Sequence, residues 1–211
     1  MFFNFHTHFE QLQAIVNLDA TQQVKVNEGY WYSLGIHPWN VTENYAETIK
    51  NIEALLVENP SIVAIGETGL DRLKGAELSL QMDCFKAHVE LSERFQKPLI
   101  IHCVRAFSEI AQLHKSLLPT MPWIIHGFRA NEKVVQMLSA HGIYMSVGEH
   151  FSSQSLRAIP TDLLLAETDD TQSITIEEVY QNIATTRSIP RPELQQQIQA
   201  NVATVLGIND A

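Results

Sequence analysis

Near the N-terminus the sequence reads FFNFHTH over Phe2–His8, an aromatic run followed at once by a His-x-His pair. The dense aromatic residues predict a buried β-strand. Alternate residues of an extended chain project to the same side, so the imidazoles of His6 and His8 should point at one place where the strand leaves the core. Such a pair is common by chance, and on its own it favours an incidental interpretation.

The same pattern, an apolar run of strand length that ends in His, Glu or Asp, recurs along the chain. These runs alternate with amphipathic stretches of helix length. The predicted strands lie at Phe2–His8, Gln23–Asn27, Tyr30–Ile36, Ser61–Gly66, Leu99–Ile101, Trp123–Ile125, Ile143–Val147 and Leu163–Ala166. The predicted helices lie at Tyr45–Glu58, Ala76–Gln96, Ala106–Leu118, Asn131–His141, Ile176–Arg187 and Pro192–Leu206.

Continuous apolar strands that alternate with helices are typical of a parallel sheet buried on both faces. About eight such units predict an α/β fold closed into a (β/α)8 TIM-like barrel, with an open doubly wound sheet as the alternative. We favour the barrel because its strand ends converge on one mouth, where candidate ligands would meet. The chain between His8 and Tyr30 is too short for two strand–helix units, so the first units should be abbreviated. Without linkers or repeats, we expect a single domain over residues 1–211.

The composition narrows the classes of function. The chain has 24 acidic against 14 basic residues and a formal net charge of -10, which argues against a broad basic surface for nucleic acid or an anionic membrane. A phosphate-bearing substrate stays compatible, because divalent cations reverse the local potential. Cys84 and Cys103 suggest no disulfide framework, and neither a signal peptide nor a long apolar run is evident. We therefore expect a cytoplasmic protein with no membrane contact and no obligate protein partner.

Side chains able to bind a metal ion follow five of the predicted strands. Imidazole and carboxylate suit zinc, manganese or iron, and this set exceeds what one tetrahedral ion needs, so we predict two divalent metal ions, Zn, Mn or Mg. Glu67 would bridge them, a water between them would lose a proton to become the nucleophile, and Asp169 would accept that proton. The predicted metal ligands are His6, His8, Glu67, His102, His126 and Asp169, of which Glu67 and Asp169 are also the predicted catalytic residues.

Three further residues are predicted to bind substrate. Arg105 follows His102 by three positions and would hold a phosphate by a bidentate contact, with a surface salt bridge as the alternative. Trp39 would stack on a base, with packing at the rim as the alternative. His37 would contact the substrate rather than a metal ion.

Six motifs occur in a fixed order along almost the whole chain. They are HTH at His6–His8, GIHP at Gly35–Pro38, GETGLD at Gly66–Asp71, PLIIHCVR at Pro98–Arg105, IHGF at Ile125–Phe128 and LAETD at Leu165–Asp169. Together they resemble the TatD family of metal-dependent hydrolases, within the amidohydrolase superfamily. The resemblance implies a metal-dependent barrel hydrolase whose characterised relatives act as deoxyribonucleases, with metal ligands at the six positions selected above.

The sequence also departs from the pattern of that family. The chain is shorter than a usual member between His8 and the GIHP motif. Arg72 stands where an aromatic residue commonly follows GLD, and Arg129-Ala130 replaces a small Ser-Gly pair. Asp170 follows Asp169 where a small residue and proline are usual. None of these changes removes a predicted ligand, but they weaken the inference from the family that DNA is the substrate.

Three hypotheses follow for the function. The first is a phosphodiesterase or deoxyribonuclease of the TatD type, acting on DNA or a small phosphodiester with a two-metal-bound hydroxide as nucleophile. The second is hydrolysis of a small ester, lactone or amide on the same site. It stays compatible with the sequence because no stretch of basic residues for binding nucleic acid is evident. The third is a non-catalytic, metal-retaining scaffold, in which substitution of Asp169 would change no activity.

Overall fold

The computed structural model describes residues 2–208, and eight parallel strands form its centre. The strands follow one another in chain order, each hydrogen-bonded to the next. They are β1 Asn4–Thr7, β2 Ala14–Asp19, β3 Trp31–Gly35, β4 Ile62–Asp71, β5 Leu99–Val104, β6 Trp123–Ile125, β7 Tyr144–Val147 and β8 Leu164–Ala166. The predicted α/β barrel is confirmed, and an open doubly wound sheet is excluded.

Contacts between the first and last strands close the sheet. The amide of Asp169 donates to the carbonyl of His6 at 3.0 Å, and the amide of His8 donates to the carbonyl of Asp169 at 3.1 Å. The buried amide side chain of Asn4 donates to Thr168 Oγ1 at 2.7 Å and accepts from the Thr168 amide at 3.0 Å. The closure therefore satisfies polar groups that burial would otherwise penalise.

Seven α-helices cover the outside of the barrel. Local signals set several of their ends: Asn131 caps the amides of the fourth helix, and Thr175 forms a capping box with Glu178 in the sixth. The helices are α1 Tyr45–Glu58, α2 Leu78–Phe95, α3 Phe107–Leu117, α4 Glu132–Ser139, α5 Ser153–Ala158, α6 Ile176–Arg187 and α7 Arg191–Leu206. Among residues 2–208, no helix combines the length and the hydropathy that crossing a membrane requires.

The core is formed by the strands and by the inner faces of these helices. Phe85 of α2 packs edge-on against Trp123 of β6 with ring centroids 5.2 Å apart, and both side chains are buried. Burial of a large apolar side chain contributes about 1.5–3 kcal/mol, so the strands are fixed firmly relative to one another. This rigidity holds the carboxyl ends of the strands, and the polar side chains they carry, in defined positions.

The prediction of the second strand was wrong. Gln23–Asn27 forms no strand, and the chain instead pairs with β1 and β3 at Ala14–Asp19. Val24 and Val26 pack against the core without joining the backbone ladder, which explains why their alternation resembled a strand. The polar residues Asn17 and Asp19 obscured the real strand in the sequence.

The first strand–helix units are abbreviated, as predicted. No α-helix lies between β1 and β2 or between β2 and β3 in the described chain. Two later strands run further than predicted, because Thr68–Asp71 pairs with Ile101–Val104. As a result, β4 continues past Glu67 and β5 continues past His102. The pairing register shifts between Ile65 and Thr68, which places Glu67 at an irregularity within its strand.

Gly69 should be among the least replaceable residues of the barrel. Its φ is +149°, and a Cβ there would lie 1.9 Å from the carbonyl oxygen of His102. We expect Gly69→Ala to lower the free energy of unfolding by about 3 kcal/mol or more, because backbone must move to relieve the clash.

Gly142→Ala is the matched control. Gly142 has a φ of +68°, but nothing lies within 4 Å of its Cβ position, so only backbone strain should count, about 1 kcal/mol. Chemical denaturation followed by circular dichroism measures both variants. Equal destabilisation of the two would show that the close approach at Gly69 is unimportant.

Candidate metal centre at the mouth of the barrel

The structure brings the six predicted ligands together at the carboxyl ends of the strands. Each comes from the carboxyl-terminal part of a strand or from the residues that follow it, so closure of the barrel is what gathers them. His6, Glu67 and His126 are buried, His102 and Asp169 are partly exposed, and His8 is 39% exposed at the rim. Several of these side chains lie close enough together to hold a cation.

One oxygen of Glu67 faces the donors from the two ends of the chain. Glu67 Oε2 lies 3.6 Å from His6 Nε2 and 3.7 Å from His8 Nε2. Asp169 Oδ1 lies 3.6 Å from His6 Nε2 and 3.5 Å from His8 Nε2. Two imidazoles and two carboxylates thus surround one space, a donor set that suits a divalent transition metal.

The other oxygen of Glu67 faces a second group. Glu67 Oε1 lies 2.9 Å from His102 Nδ1, 2.7 Å from His126 Nε2 and 3.1 Å from His37 Nε2. His102 Nδ1 and His126 Nε2 are 3.4 Å apart. A single buried carboxylate therefore presents one oxygen to each of two separate donor groups.

Two further carboxylates lie beside the imidazoles of the second group, one hydrogen-bonded to His102 and one close to His126. Asp71 Oδ2 lies 3.4 Å from His102 Nε2, and Glu167 Oε1 lies 3.5 Å from His126 Nδ1. A metal-binding imidazole usually donates its other N–H to such a carboxylate, which leaves the first nitrogen free to bind. Asp71 belongs to the GETGLD motif and Glu167 to the LAETD motif.

The hydrogen bonding of His37 differs from that of His102. Its Nδ1 accepts a hydrogen bond from the backbone amide of Trp39 at 3.2 Å. In the neutral ring the proton is then on Nε2, the nitrogen that points at Glu67 Oε1, so no lone pair there is available for a cation. Although His37 lies close enough to join a ligand group, its hydrogen bonding makes it a donor toward the centre.

Asn17 was missed by the sequence analysis. Its Oδ1 accepts from the Glu67 amide at 2.8 Å, and its Nδ2 lies 3.5 Å from Glu67 Oε2. Ser33 Oγ donates to the same Asn17 oxygen at 3.2 Å. The signal was present in the AIVNLD segment of β2, but it could be used only once that segment had been recognised as a strand.

The donor set fits a bound cation. Both ring nitrogens of His6, Nδ1 of His126 and Oε2 of Glu167 are buried without a hydrogen-bond partner among the described residues. Leaving such atoms unpaired is costly, and metal coordination is one way of satisfying a nitrogen such as His6 Nε2. The cluster therefore has the chemistry of a metal site.

Electrostatic coupling within the cluster is strong. Burial alone would raise the pKa of Glu67, but the charge of His126 and hydrogen bonds from the imidazoles hold that pKa well below its usual range. Burial would likewise raise the pKa of Asp169, and the nearby imidazoles of His6 and His8 lower it. The pKa of His126 is raised well above its ordinary value, because Glu67 and Glu167 outweigh the desolvation that lowers it.

The other predicted substrate residues line cavities that open onto this centre. Arg105 is exposed after β5 and borders a cavity of about 380 Å³ together with His102 and Asp169. Trp39 borders another cavity of about 510 Å³, and its indole Nε1 donates to Asp71 Oδ2 at 2.6 Å. Lys74 Nζ lies 3.3 Å from the centre of the Trp39 ring, so one face of the indole is already covered.

An eight-stranded parallel barrel with imidazole and carboxylate donors at its mouth is the architecture of a metal-dependent hydrolase. The family model of the TatD related DNases matches residues 4–207. The chain belongs to this family, as the sequence motifs predicted.

Curated relatives are similar over much of the chain. A protein of Erwinia billingiae (strain Eb661) named 3'-5' ssDNA/RNA exonuclease TatD is 30% identical over 167 residues, which cover 74% of this chain and 64% of the relative. An uncharacterized metal-dependent hydrolase of Buchnera aphidicola subsp. Baizongia pistaciae is 29% identical over 155 residues, covering 69% and 58%. The chain thus spans less than two thirds of the length of these relatives.

Solved structures show the same fold. The TatD homologue YjjV of Escherichia coli K12 has a TM-score of 0.79 at 20% identity, covering 93% of this chain and 86% of that one. A hydrolase of the TatD family from Entamoeba histolytica has a TM-score of 0.71 at 17% identity, covering 83% and 74%. At these identities the likeness concerns the barrel alone.

Metal binding should weaken as the pH falls. The raised pKa of His126 means that its ring holds a second proton more tightly than an ordinary imidazole does, so a cation that takes Nε2 competes with that proton. We expect the apparent affinity for Zn²⁺ to fall by roughly tenfold per pH unit for each proton displaced between pH 8 and 6. Isothermal titration calorimetry in buffers of different ionisation enthalpy counts the protons. An affinity that does not change with pH would contradict this assignment.

His37 should be dispensable for metal binding, unlike His102. We expect His37→Gln and His37→Ala to keep their Zn²⁺ affinity within about threefold of wild type, whereas His102→Gln should lose roughly tenfold to a hundredfold or more. Nitrogen-15 NMR of the imidazoles should show a proton on Nε2 of His37. Loss of a metal ion from both His37 variants, with their folding intact, would instead make His37 a ligand.

Proposed function

We propose that the chain is a metal-dependent phosphodiesterase that hydrolyses nucleic acid or short oligonucleotides. One observation carries the proposal: the two oxygens of Glu67 face two separate groups of donors. Such an arrangement favours two cations that share a carboxylate, which is typical of enzymes that cleave phosphate esters. The names of the curated relatives, which include single-stranded DNA and RNA exonucleases, support nucleic acid as the substrate class.

Each cation would be held by its own set of side chains. His6, His8 and Asp169 would hold one together with Glu67 Oε2, and His102 and His126 would hold the other together with Glu67 Oε1. When bound, divalent ions of this kind lower the pKa of water and neutralise charge on a phosphate. The imidazole-rich donor set favours Zn or Mn over Mg.

The protein side chains divide the remaining work. Asp169 would accept the proton of the attacking water, because its carboxylate lies within the first donor group, 3.6 Å from His6 Nε2 and 3.5 Å from His8 Nε2. The Nε2–H of His37 would donate a hydrogen bond to a phosphate oxygen of the substrate. Arg105 would bind a phosphate group of the substrate through its guanidinium, and the exposed face of Trp39 would stack on a base. Asn17 would hold Glu67 in place.

The charge of the chain limits how much nucleic acid it would contact. With a net charge of -10, it offers few phosphate contacts away from the mouth. We therefore propose that it acts on a chain end or a short oligonucleotide rather than along a duplex. A cytoplasmic location agrees with such a role and stays a prediction.

Glu67→Gln should damage the site more than any other single substitution at the centre. The amide removes the charge that both donor groups face, so we expect loss of both cations and a fall in hydrolysis of roughly a thousandfold or more. Elemental analysis of the metal content and turnover of single-stranded DNA measure the two effects. Glu53→Gln is the control, because Glu53 pairs with Arg94 at the surface and should change neither.

A substrate panel decides between the reactions. The metal-loaded protein is assayed on single-stranded DNA, RNA, a bis-aryl phosphodiester, and a set of lactones and amides. Hydrolysis of the phosphodiesters that is lost in Glu67→Gln and Asp169→Asn supports the proposal. Activity confined to lactones or amides, or no activity with two ions bound, would overturn it and favour the small-ester hydrolase or the scaffold.

A further inference from the structure

Two arginines border the metal centre from the segments that follow two neighbouring strands, β5 and β6. β5 and β6 pair with Leu99 opposite Trp123 and with Ile101 opposite Ile125. The same offset relates His102 to His126. Arg105 and Arg129 follow these two histidines by three residues each. Arg105 follows β5 directly and Arg129 lies in the loop after β6, and both line one cavity beside the second donor group.

Both guanidiniums lack a protein partner. Within residues 2–208, neither Arg105 nor Arg129 makes a hydrogen bond or an ion pair to another side chain, and both residues are exposed. By contrast, Arg72 and Arg94 pair with Glu109 and Glu53. In a chain with 24 acidic against 14 basic residues, two guanidiniums on one cavity that form no ion pair are suited to an anionic ligand. Arg129 also borders a second cavity, which Glu149 and Asp170 line.

These arginines line one cavity that opens onto the centre. The cavity measures about 380 Å³, and His102 and His126 border it on the side of the centre. Asp169 is the one carboxylate among the described residues that line it, and its Oδ1 is directed at His6 and His8. A ligand in the cavity would thus lie beside the cations and meet two guanidiniums.

We infer that Arg129, together with Arg105, forms a subsite for a second phosphate group next to the one that is cleaved. A pair of planar guanidiniums suits a phosphate, which each can bind through two parallel hydrogen bonds. Arg129 occupies a position where the resemblance to the family predicts a small residue, so this subsite is a property of the present chain. The inference rests on the proposed function and gives it a substrate preference: nucleotides that carry a phosphate adjacent to the scissile linkage.

Thymidine dinucleotides test the subsite, because each has one internal linkage. TpT has no terminal phosphate, whereas pTpT and TpTp carry one at the 5' or the 3' end. Analogues with a phosphorothioate linkage slow cleavage, so that binding to the metal-loaded protein is measured by calorimetry at constant ionic strength. We expect wild type to bind pTpT or TpTp about tenfold more tightly than TpT.

Three variants show where that preference arises. Arg129→Ser should bring the ratio of affinities close to one, and Arg129→Lys should retain only part of it, because an ammonium cannot bind two oxygens in a plane. Lys133→Ser is the control, since it removes the same charge from an exposed position four residues away and should keep the wild-type ratio. Equal affinity of wild type for all three dinucleotides, or an unchanged ratio in Arg129→Ser, would overturn the subsite.

Hydrolysis of the unmodified dinucleotides separates this inference from the proposed function. A terminal phosphate that strengthens binding through Arg129 supports the subsite whether or not the linkage is cleaved. Cleavage without any effect of the terminal phosphate supports the phosphodiesterase and overturns the subsite. Binding that the terminal phosphate strengthens through Arg129, without cleavage of any phosphodiester, supports the subsite and overturns the phosphodiesterase.

Discussion

The site depends on the closure of the barrel between its first and last strands. Two backbone hydrogen bonds join Asp169 to His6 and His8, so the residues that carry three of the candidate ligands are held to one another before any cation binds. The buried side chain of Asn4, paired twice with Thr168, fixes the register of that closure. A slip of one residue here would turn alternate side chains away from the centre.

The second constraint is a buried negative charge. Glu67 is only 4% exposed, and burial of an isolated carboxylate is strongly unfavourable. Imidazoles on three sides and the amide of Asn17 compensate for this cost. Two of those imidazoles, His102 and His126, lie in turn beside Asp71 and Glu167. The centre is therefore a network of acids and bases in which removal of one member would disturb its neighbours.

The sequence predicted the architecture and the residues that meet at the mouth, because both follow from a local pattern. Each apolar run ends in a polar residue, and parallel strands in a barrel bring those ends together whatever their separation in the chain. The roles of these residues as ligands stay predictions, although the structure gathers them. The second strand could not be predicted reliably, since AIVNLD carries two polar residues in six and the nearby Val24 and Val26 alternate more regularly.

The direction of the hydrogen bonds could not be predicted from the sequence either. His37 and His102 are both histidines at strand ends, and only the structure shows that one faces a backbone amide and the other a carboxylate. That difference decides which imidazole can bind a cation and which donates a proton to a neighbour. Only the structure likewise shows that Arg105 and Arg129 line one cavity.

The missing outer helices leave one flank of the barrel thinly covered. Beside β1 to β3 a groove of about 740 Å³ exposes part of Phe3, Leu12 and Trp31 to solvent. The strand that supplies His6 and His8 belongs to this flank. A cation bound between β1, β4 and the residues after β8 would therefore link this flank to the rest of the barrel. Because it would bind only the folded chain, it would raise the free energy of unfolding.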